Sequence, residues 1–167
     1  MGKLSEETAL VIAEASPLAA NLAWLLSQAS YTLTTELTAA LEGLGVSPRA
    51  YHVLKTARKG EFTQTDLTKM IGLDKTTLVV TLDELEATGL AERRPSAGDR
   101  RARVISVTKA GERKIRAADE IVERIHTDVL ATLPAAERKA FLHSLTTLVC
   151  SRLADPVVCS QPVRRRA

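Results

Sequence analysis

Arginine and lysine side chains are concentrated in one short part of the chain and suggest contact with a polyanion. Residues 93–116 contain nine basic residues against two acidic ones, a local charge of +7. By contrast, the whole 167-residue chain carries a formal charge of +3, and residues 1–44 hold one basic residue against five acidic ones. Nucleic acid is the usual partner of so dense a basic segment, although a solvated helix surface can also be basic. The structure around these arginines must decide between the two interpretations.

Other residue types that could do chemistry are sparse. His52, His126 and His143 lie far apart, with no carboxylate or cysteine at metal-ligand spacing, so we expect structural histidines and no metal site. The sequence has no glycine-rich phosphate loop, no HExxH motif and no nucleophile elbow, which predicts a protein that is not an enzyme and needs no cofactor. Two cysteines, Cys150 and Cys159, are too few for a disulfide scaffold, and redox sensing by them remains an alternative.

Length and composition fit one compact soluble protein. The chain is 45% apolar and 26% charged, which is enough to build a sizeable core. No stretch approaches the roughly 18 consecutive apolar residues of a membrane span. The N-terminus also lacks the basic start and the small-residue cleavage site of a signal peptide. We therefore expect a cytoplasmic protein.

Long helices are predicted on both sides of the basic segment. Leucines and alanines recur at spacings of three and four from Ser16-Pro17 up to Gly43, which predicts a first helix of roughly seven turns. Thr108 begins another long helix with a repeating apolar stripe, and Pro134 separates it from a final helix. Both long segments carry more apolar surface than the short elements between them can cover, which predicts a dimer.

Three shorter helices are predicted between the long ones. They run over residues 48–60, 64–72 and 75–89, after the capping residues Ser47, Thr63 and Asp74. On the last of them, Leu78, Leu82 and Leu85 lie on one side at 100° per residue and should face the core. Thr76 and Val80 should then face outward, and so should Asp83. A turn-rich segment, residues 95–99, follows between two short predicted strands and completes a hairpin with an arginine-rich tip.

The order of these elements predicts a mainly α (α+β) fold, a winged helix-turn-helix with long N- and C-terminal dimerisation helices. A helix of this diameter fits the major groove of DNA, and a thin basic hairpin can reach the adjacent backbone or minor groove. RNA binding is a rival function with the same charge, but the five aromatic residues do not lie among the basic ones, so stacking on single strands is not indicated. A winged helix used for protein contacts is the other rival function.

Three consecutive motifs resemble the MarR family. They are LEATGLAERR at residues 85–94, DRRA at residues 99–102 and VTKAG at residues 107–111, and the resemblance extends over residues 17–153. It implies a homodimeric bacterial or archaeal transcription regulator, a repressor, on a pseudo-palindromic operator. The corresponding organisation is an N-terminal extension (1–16), a helical dimerisation region (17–46 and 109–155), a winged helix-turn-helix DNA-binding domain (47–108) and a flexible tail (156–167).

The resemblance also implies which residues contact DNA. Asp99 matches a wing carboxylate that steadies the loop, and Arg101 matches an arginine that enters or lines the minor groove. Lys75 lies at the start of the recognition helix, where hydroxyls and backbone N–H groups meet phosphates and base edges. The full predicted set is Thr63, Gln64, Thr65, Lys75, Thr76, Thr77, Val80, Thr81, Arg94, Asp99, Arg100, Arg101 and Arg103.

The middle of the recognition helix departs from the family pattern. Many relatives have a Thr-Arg pair where this chain has Val79-Val80, and Glu84 stands where a basic residue is frequent. An outward Val80 could contact a thymine methyl, the apolar feature of the major groove, or it could cover the scaffold and read no base.

Four residues are candidates for an effector pocket. Trp24 and Tyr31 lie seven residues apart on the first long helix, and relatives often bind small aromatic or phenolic effectors beside that helix. Tyr51 and His52 are further candidates for the same cavity. Packing in the core or at an interface is the alternative role for the two aromatics on the first helix.

Overall fold

The computed structural model describes residues 16–99 and 101–155. These residues form two compact units that divide between Ala40 and Leu41. Among them, no helix is long and apolar enough to span a membrane. The predictions made for the N-terminal extension, for Arg100 and for the tail with Cys159 lie outside the described residues.

The first unit contains helix α1, Leu22–Leu41, whose last residue belongs to the second unit. The helix begins five residues later than the sequence predicted, because residues 17–20 form turns. Asn21 provides the start signal, since its Oδ1 accepts the backbone N–H of Trp24 at 3.0 Å. Apolar periodicity alone did not reveal this cap, and the prediction of a helix from Pro17 was wrong.

The second unit contains all the remaining elements. They are a short 3-10 helix (Glu42–Leu44), α2 (Pro48–Ala57), β1 (Phe62–Thr63), α3 (Gln64–Ile71), α4 (Lys75–Ala87), β2 (Ala91–Pro95), β3 (Arg103–Val107), α5 (Lys109–Ala131) and α6 (Ala135–Cys150). The predicted capping residues Ser47, Thr63, Asp74 and Thr108 each accept a backbone N–H three residues later. The mainly α winged helix is therefore confirmed.

The three strands form a small antiparallel sheet in the order β1-β3-β2. Ala91 pairs with Val107 and Pro95 pairs with Arg103, so β2 and β3 form the predicted hairpin. Strand β1 was not predicted, because two residues are too few to show an alternating pattern. It pairs Phe62 with Ile105 and connects the loop after α2 to the middle of the hairpin.

The core of the second unit lies between the short helices and α5. On α4, Leu78, Leu82 and Leu85 are buried as predicted, and Ile115 and Ala118 of α5 are fully enclosed. Residues this deeply buried are the usual source of stability in a small domain. The core therefore holds α4 and the hairpin in a fixed arrangement beside α5.

A glycine allows α5 to begin directly against the base of the hairpin. A Cβ on Gly111 would lie 2.2 Å from the carbonyl oxygen of Leu90 and 2.7 Å from Cγ1 of Val107. Thr108 strengthens the junction, since its hydroxyl donates to the Gly89 carbonyl at 2.7 Å and accepts the Gly111 N–H at 3.1 Å. This contact gives the glycine of the VTKAG motif a structural reason.

Candidate nucleic-acid interface

Helix α4 presents its first turn to solvent. Lys75 and Thr76 are exposed there, directly after the capping residue Asp74. Thr77 is engaged in the cap, because its hydroxyl donates to Asp74 Oδ2 at 2.6 Å and its backbone N–H donates to Oδ1 at 2.9 Å. These two hydrogen bonds lower the pKa of Asp74, so the carboxylate stays ionised and holds the helix start at neutral pH.

The exposure of side chains on α4 agrees with the sequence-based prediction at two positions and differs from it at a third. Thr76 is exposed, and Val80 is 50% exposed, as predicted. Thr81 is only 2% exposed, and its hydroxyl donates to the Thr77 carbonyl at 2.8 Å. This burial and this hydrogen bond argue against the predicted contact between Thr81 and DNA. Its position, three residues after Leu78 on a helix, lies beside the buried stripe and would have indicated this.

The start of α3 is occupied by a capping box. The Thr63 hydroxyl donates to Asp66 Oδ2 at 2.7 Å, and the Thr63 backbone N–H donates to the same oxygen at 2.9 Å. These bonds lower the pKa of Asp66, which keeps a negative charge at this helix start. Both Thr63 donors are thus used inside the protein, which argues against the predicted phosphate contact by Thr63. Thr65 is exposed and Gln64 is half-buried.

Among the described residues of the wing, Arg94, Arg101 and Arg103 are exposed around its tip. Asp99 Oδ1 accepts the backbone N–H of Arg101 at 2.9 Å, and the Asp99 carbonyl accepts the N–H of Ala102 at 3.0 Å. This geometry agrees with the expectation that Asp99 steadies the loop that carries Arg101. The three guanidinium groups concentrate positive charge at the tip of a thin hairpin.

A fourth arginine of the basic segment has a structural role that its sequence position did not reveal. The Arg93 backbone N–H donates to Glu86 Oε1 at 2.7 Å, and its guanidinium donates to Glu86 Oε2 and, at 2.8 Å, to Asp83 Oδ1. Both carboxylates lie on α4, so Arg93 fastens β2 to that helix. The guanidinium is therefore not available to DNA. Acidic residues seven and ten positions earlier were the available signal, but only the fold brings them to Arg93.

A polar network joins α2 to α5 in the same unit. The buried Tyr51 hydroxyl donates to Asp119 Oδ1 at 2.6 Å, and Lys55 Nζ donates to the Tyr51 hydroxyl at 2.6 Å and to Asp119 Oδ1 at 2.7 Å. The hydrogen bonds to Asp119 and Tyr51 raise the pKa of Lys55. Desolvation and the bond to Asp119 raise the pKa of Tyr51. Lys55 is therefore charged and Tyr51 neutral at pH 7.

Beside this network lies an open cleft of about 520 Å³. It is lined by Tyr51, His52, Lys55, Asp119, Glu120, Val122, Glu123 and His126. Desolvation, followed by the effects of His126 and Lys55, lowers the pKa of His52, so its ring is neutral at pH 7. The fold thus brings two of the three histidines to one cleft. Across the described residues, no three His, Cys, Asp or Glu side chains are arranged to hold a metal ion.

The other candidate residues are on α1 and α6. Trp24 and Tyr31 are on α1, where Trp24 is half-buried and Tyr31 is 66% exposed. Cys150 is the last residue of α6 and is an exposed free thiol. The structure therefore brings Tyr51 and His52 together at one cleft, whose lining does not include Cys150.

A helix-turn-helix followed by a basic hairpin defines the winged-helix class of DNA-binding proteins. The model of the MarR family matches residues 44–102, from the end of the 3-10 helix through the tip of the wing. The part of the chain that contains the helix-turn-helix and the wing is thus similar to MarR-family winged-helix transcriptional regulators. This family consists of regulators, in agreement with the prediction that the protein is not an enzyme.

Solved structures resemble the chain over most of its length. CouR from Rhodococcus jostii, bound to p-coumaroyl-CoA, is 26% identical, with a TM-score of 0.74 over 87% of this chain and 100% of its own. A mutant MarR from E. coli complexed with operator DNA is 22% identical, with a TM-score of 0.71 over 81% and 99%. A MarR family protein from Mycobacterium tuberculosis, in complex with p-aminosalicylic acid, is 24% identical, with a TM-score of 0.64 over 77% and 98%.

Proposed function

We propose that the protein is a homodimeric repressor that binds a pseudo-palindromic operator through helix α4 and the wing. The observation that carries this proposal is the Arg93 clamp, which fastens β2 of the wing to α4, the helix whose exposed first turn carries Lys75 and Thr76. With this arrangement, Lys75 and Thr76 can meet the major groove while Arg94 and Arg101 reach the backbone or minor groove beside it. Such a regulator acts at the chromosome, so we expect it in the cytoplasm of a bacterium or archaeon.

Exposed apolar side chains support the homodimer. Seven large hydrophobic side chains on α6, on α1 and just before α1 are between 37% and 54% exposed. They are Leu18, Leu22, Leu25, Phe141, Leu142, Leu148 and Val149. So many large apolar groups on terminal helices are typical of surfaces that a second subunit covers. A dimer also supplies the two winged helices that a pseudo-palindromic operator requires.

Replacing Arg101 with alanine tests the role of the wing. We expect Arg101→Ala to weaken operator binding and to reduce the slope of log K against log salt by about 0.9 for each phosphate that the arginine neutralises. The measurement is operator affinity across a salt series. Arg124→Ala is the matched control, because Arg124 is an exposed arginine on α5, outside the wing. If wild type and Arg101→Ala have equal affinity and equal slope, with the fold intact, Arg101 of the wing does not contact DNA.

Val80 is proposed to read a base. Its 50% exposed side chain lies on the face of α4 opposite the buried leucines, where it can contact a thymine methyl. Val80→Ala should then reduce discrimination at one operator position by about 1 kcal/mol, measured on operators with single substitutions. A uniform loss over all operators would show instead that Val80 only covers the scaffold.

The cleft between α2 and α5 is proposed to take a small aromatic or phenolic effector. Its volume of about 520 Å³ suits a small organic ligand, and Tyr51 and His52 offer ring surfaces and hydrogen bonds. Support comes from two relatives that were solved with aromatic ligands, p-coumaroyl-CoA and p-aminosalicylic acid. Titration of phenols and aromatic acids against operator affinity tests this proposal, with Tyr51→Phe and Tyr31→Ala as variants. A ligand that releases DNA equally from all three proteins would exclude both tyrosines.

The effector should act on the spacing of the two recognition helices. Two copies of α4 must enter successive major grooves about 34 Å apart, so a shift of a few ångströms misaligns many contacts together. A coupling of about 1–3 kcal/mol between effector and operator gives roughly 5–150-fold release. Competition between effector and DNA at α4 itself would contradict this mechanism.

The alternative functions have less support. Cys150 is exposed, but Cys159 lies outside the described residues, so redox regulation stays a prediction. A winged helix used only for protein contacts would not need arginines at the tip of the hairpin.

A further inference from the structure

A carboxylate from outside the hairpin holds the tip of the wing. Glu61 lies immediately before β1, and no sequence motif points to it. Its Oε2 accepts the Ser96 hydroxyl at 2.7 Å and the Ala97 backbone N–H at 3.1 Å. The Ser96 hydroxyl oxygen in turn accepts the N–H of Gly98 at 3.2 Å. One carboxylate therefore organises three consecutive residues of the tip.

The remaining hydrogen bonds of the tip lie within the hairpin loop. Ser96 N–H donates to the Ala102 carbonyl at 3.0 Å, and Asp99 accepts the N–H groups of Ala102 and Arg101. These bonds fix the shape of the loop, but they do not connect it to another element. Among the described residues, the Glu61 carboxylate alone hydrogen-bonds residues 96–99 from outside the hairpin. The direction in which the tip points therefore depends on Glu61.

The charge of Glu61 is maintained at neutral pH. The hydrogen bonds from Ser96 and Ala97 lower the pKa of Glu61, and nearby Arg94 adds to the effect. An ionised carboxylate this close to Arg94 also repels DNA phosphates. The two consequences of Glu61 therefore oppose each other: its hydrogen bonds hold the wing, while its charge disfavours a polyanion.

We infer that Glu61 is a positioning residue for DNA binding, which directs the wing tip and with it Arg101 toward the operator without touching DNA. The inference rests on the proposed function, in which the wing contacts DNA. If positioning outweighs repulsion, removing the side chain weakens operator binding. If only repulsion matters, the same change tightens binding.

The test compares Glu61→Ala, Glu61→Gln and Ser96→Ala with the control Glu92→Ala. Glu92 is an exposed glutamate on β2 with no ion pair among the described residues, so its removal changes the charge near the wing but not the tip. We expect Glu61→Ala to weaken operator binding about threefold to tenfold, the effect of losing one or two net hydrogen bonds. Glu61→Gln keeps one acceptor oxygen and should recover part of this loss. Glu92→Ala should bind at least as tightly as wild type.

Two further measurements separate positioning from a general loss of structure. Hydrogen exchange at the Ala97 amide should be faster in Glu61→Ala, while exchange in α4 and α5 stays unchanged. Ser96→Ala should weaken binding in wild type and add little in the Glu61→Ala background, because both changes remove the same hydrogen bond.

Operator binding by Glu61→Ala that is as tight as wild type or tighter would overturn the inference. Unchanged exchange at Ala97 would overturn it as well. Failure of the proposed function would look different: Arg101→Ala would then leave operator affinity unchanged. If Arg101→Ala weakens binding and Glu61→Ala does not, the wing contacts DNA but is not directed by Glu61.

Discussion

Gly111→Ala provides a quantitative test of how α5 is joined to the winged helix. The added Cβ would lie 2.2 Å from the Leu90 carbonyl oxygen, whereas a close C···O contact is about 3.3 Å. The backbone must therefore separate by about 1 Å, and the obstacle is main chain rather than a flexible side-chain end. Overpacking lowers the free energy of unfolding by about 1–3 kcal/mol, and the higher helix propensity of alanine raises it by about 1 kcal/mol. With a rigid obstacle, the net loss should be about 2 kcal/mol.

The assay is thermal unfolding at one fixed protein concentration. A loss of about 2 kcal/mol lowers the Tm by roughly 4–8 °C for a chain of this size. Gly43→Ala is the matched control, because a Cβ on Gly43 meets nothing within 4 Å and Gly43 does not have a positive φ. It should leave the Tm unchanged or raise it slightly. Equal Tm values for Gly111→Ala and wild type would refute the close approach of α5 to Leu90.

Three other substitutions test the clamp, the polar network and the dimer. Arg93→Ala should weaken operator binding about threefold to tenfold, measured by titration, because it frees β2 from Glu86; unchanged affinity would mean that the clamp is irrelevant to DNA. Desolvation raises the pKa of Asp119, but the hydrogen bonds from Lys55 and Tyr51 of α2 outweigh it, so the pKa is lowered. Its ionised form therefore stabilises the fold above the unfolded pKa of about 3.9, and this contribution is lost as the pH falls through the folded value. Urea unfolding should show Asp119→Asn less stable on the order of 1 kcal/mol at pH 7, with the difference vanishing in acid. Leu22→Glu should shift sedimentation toward monomer, whereas Arg164→Ala should not; a dimer of unchanged strength in Leu22→Glu would exclude that residue from the interface.

Helix starts in the second unit could be predicted because their signals are local. Ser47, Thr63, Asp74 and Thr108 each need only a partner three residues away, so type and spacing identify them. The inward leucines of α4 follow from helical geometry in the same way. The start of α1 was predicted wrongly because the apolar spacing continues through residues 17–20, whereas the helix itself begins after the cap at Asn21. Periodicity describes which face is apolar and does not fix where a helix begins.

Residue roles in the basic segment could not be assigned from composition. Arg93 and Arg94 are adjacent and chemically identical, yet Arg93 pairs with two carboxylates of α4 and Arg94 is exposed. Strand alternation sends their side chains to opposite faces of the sheet, and only the packing of α4 determines which face is covered. Glu61 was missed for the same reason, since its partner Ser96 lies 35 residues later in the chain.

The two clamps restrict how an effector can act on DNA binding. Arg93 fastens the middle of the hairpin to α4, and Glu61 fastens its tip to the segment before β1. We therefore expect the proposed DNA-contacting elements, α4 and the wing, to move as a single body, since bending the wing away would break several charge-assisted hydrogen bonds together. Displacing the whole body breaks none of them. In the proposed homodimer, a ligand in the cleft between α2 and α5 would touch elements of this same body and would act by changing its placement relative to the second subunit. The two clamps therefore favour control by spacing over control by wing flexibility.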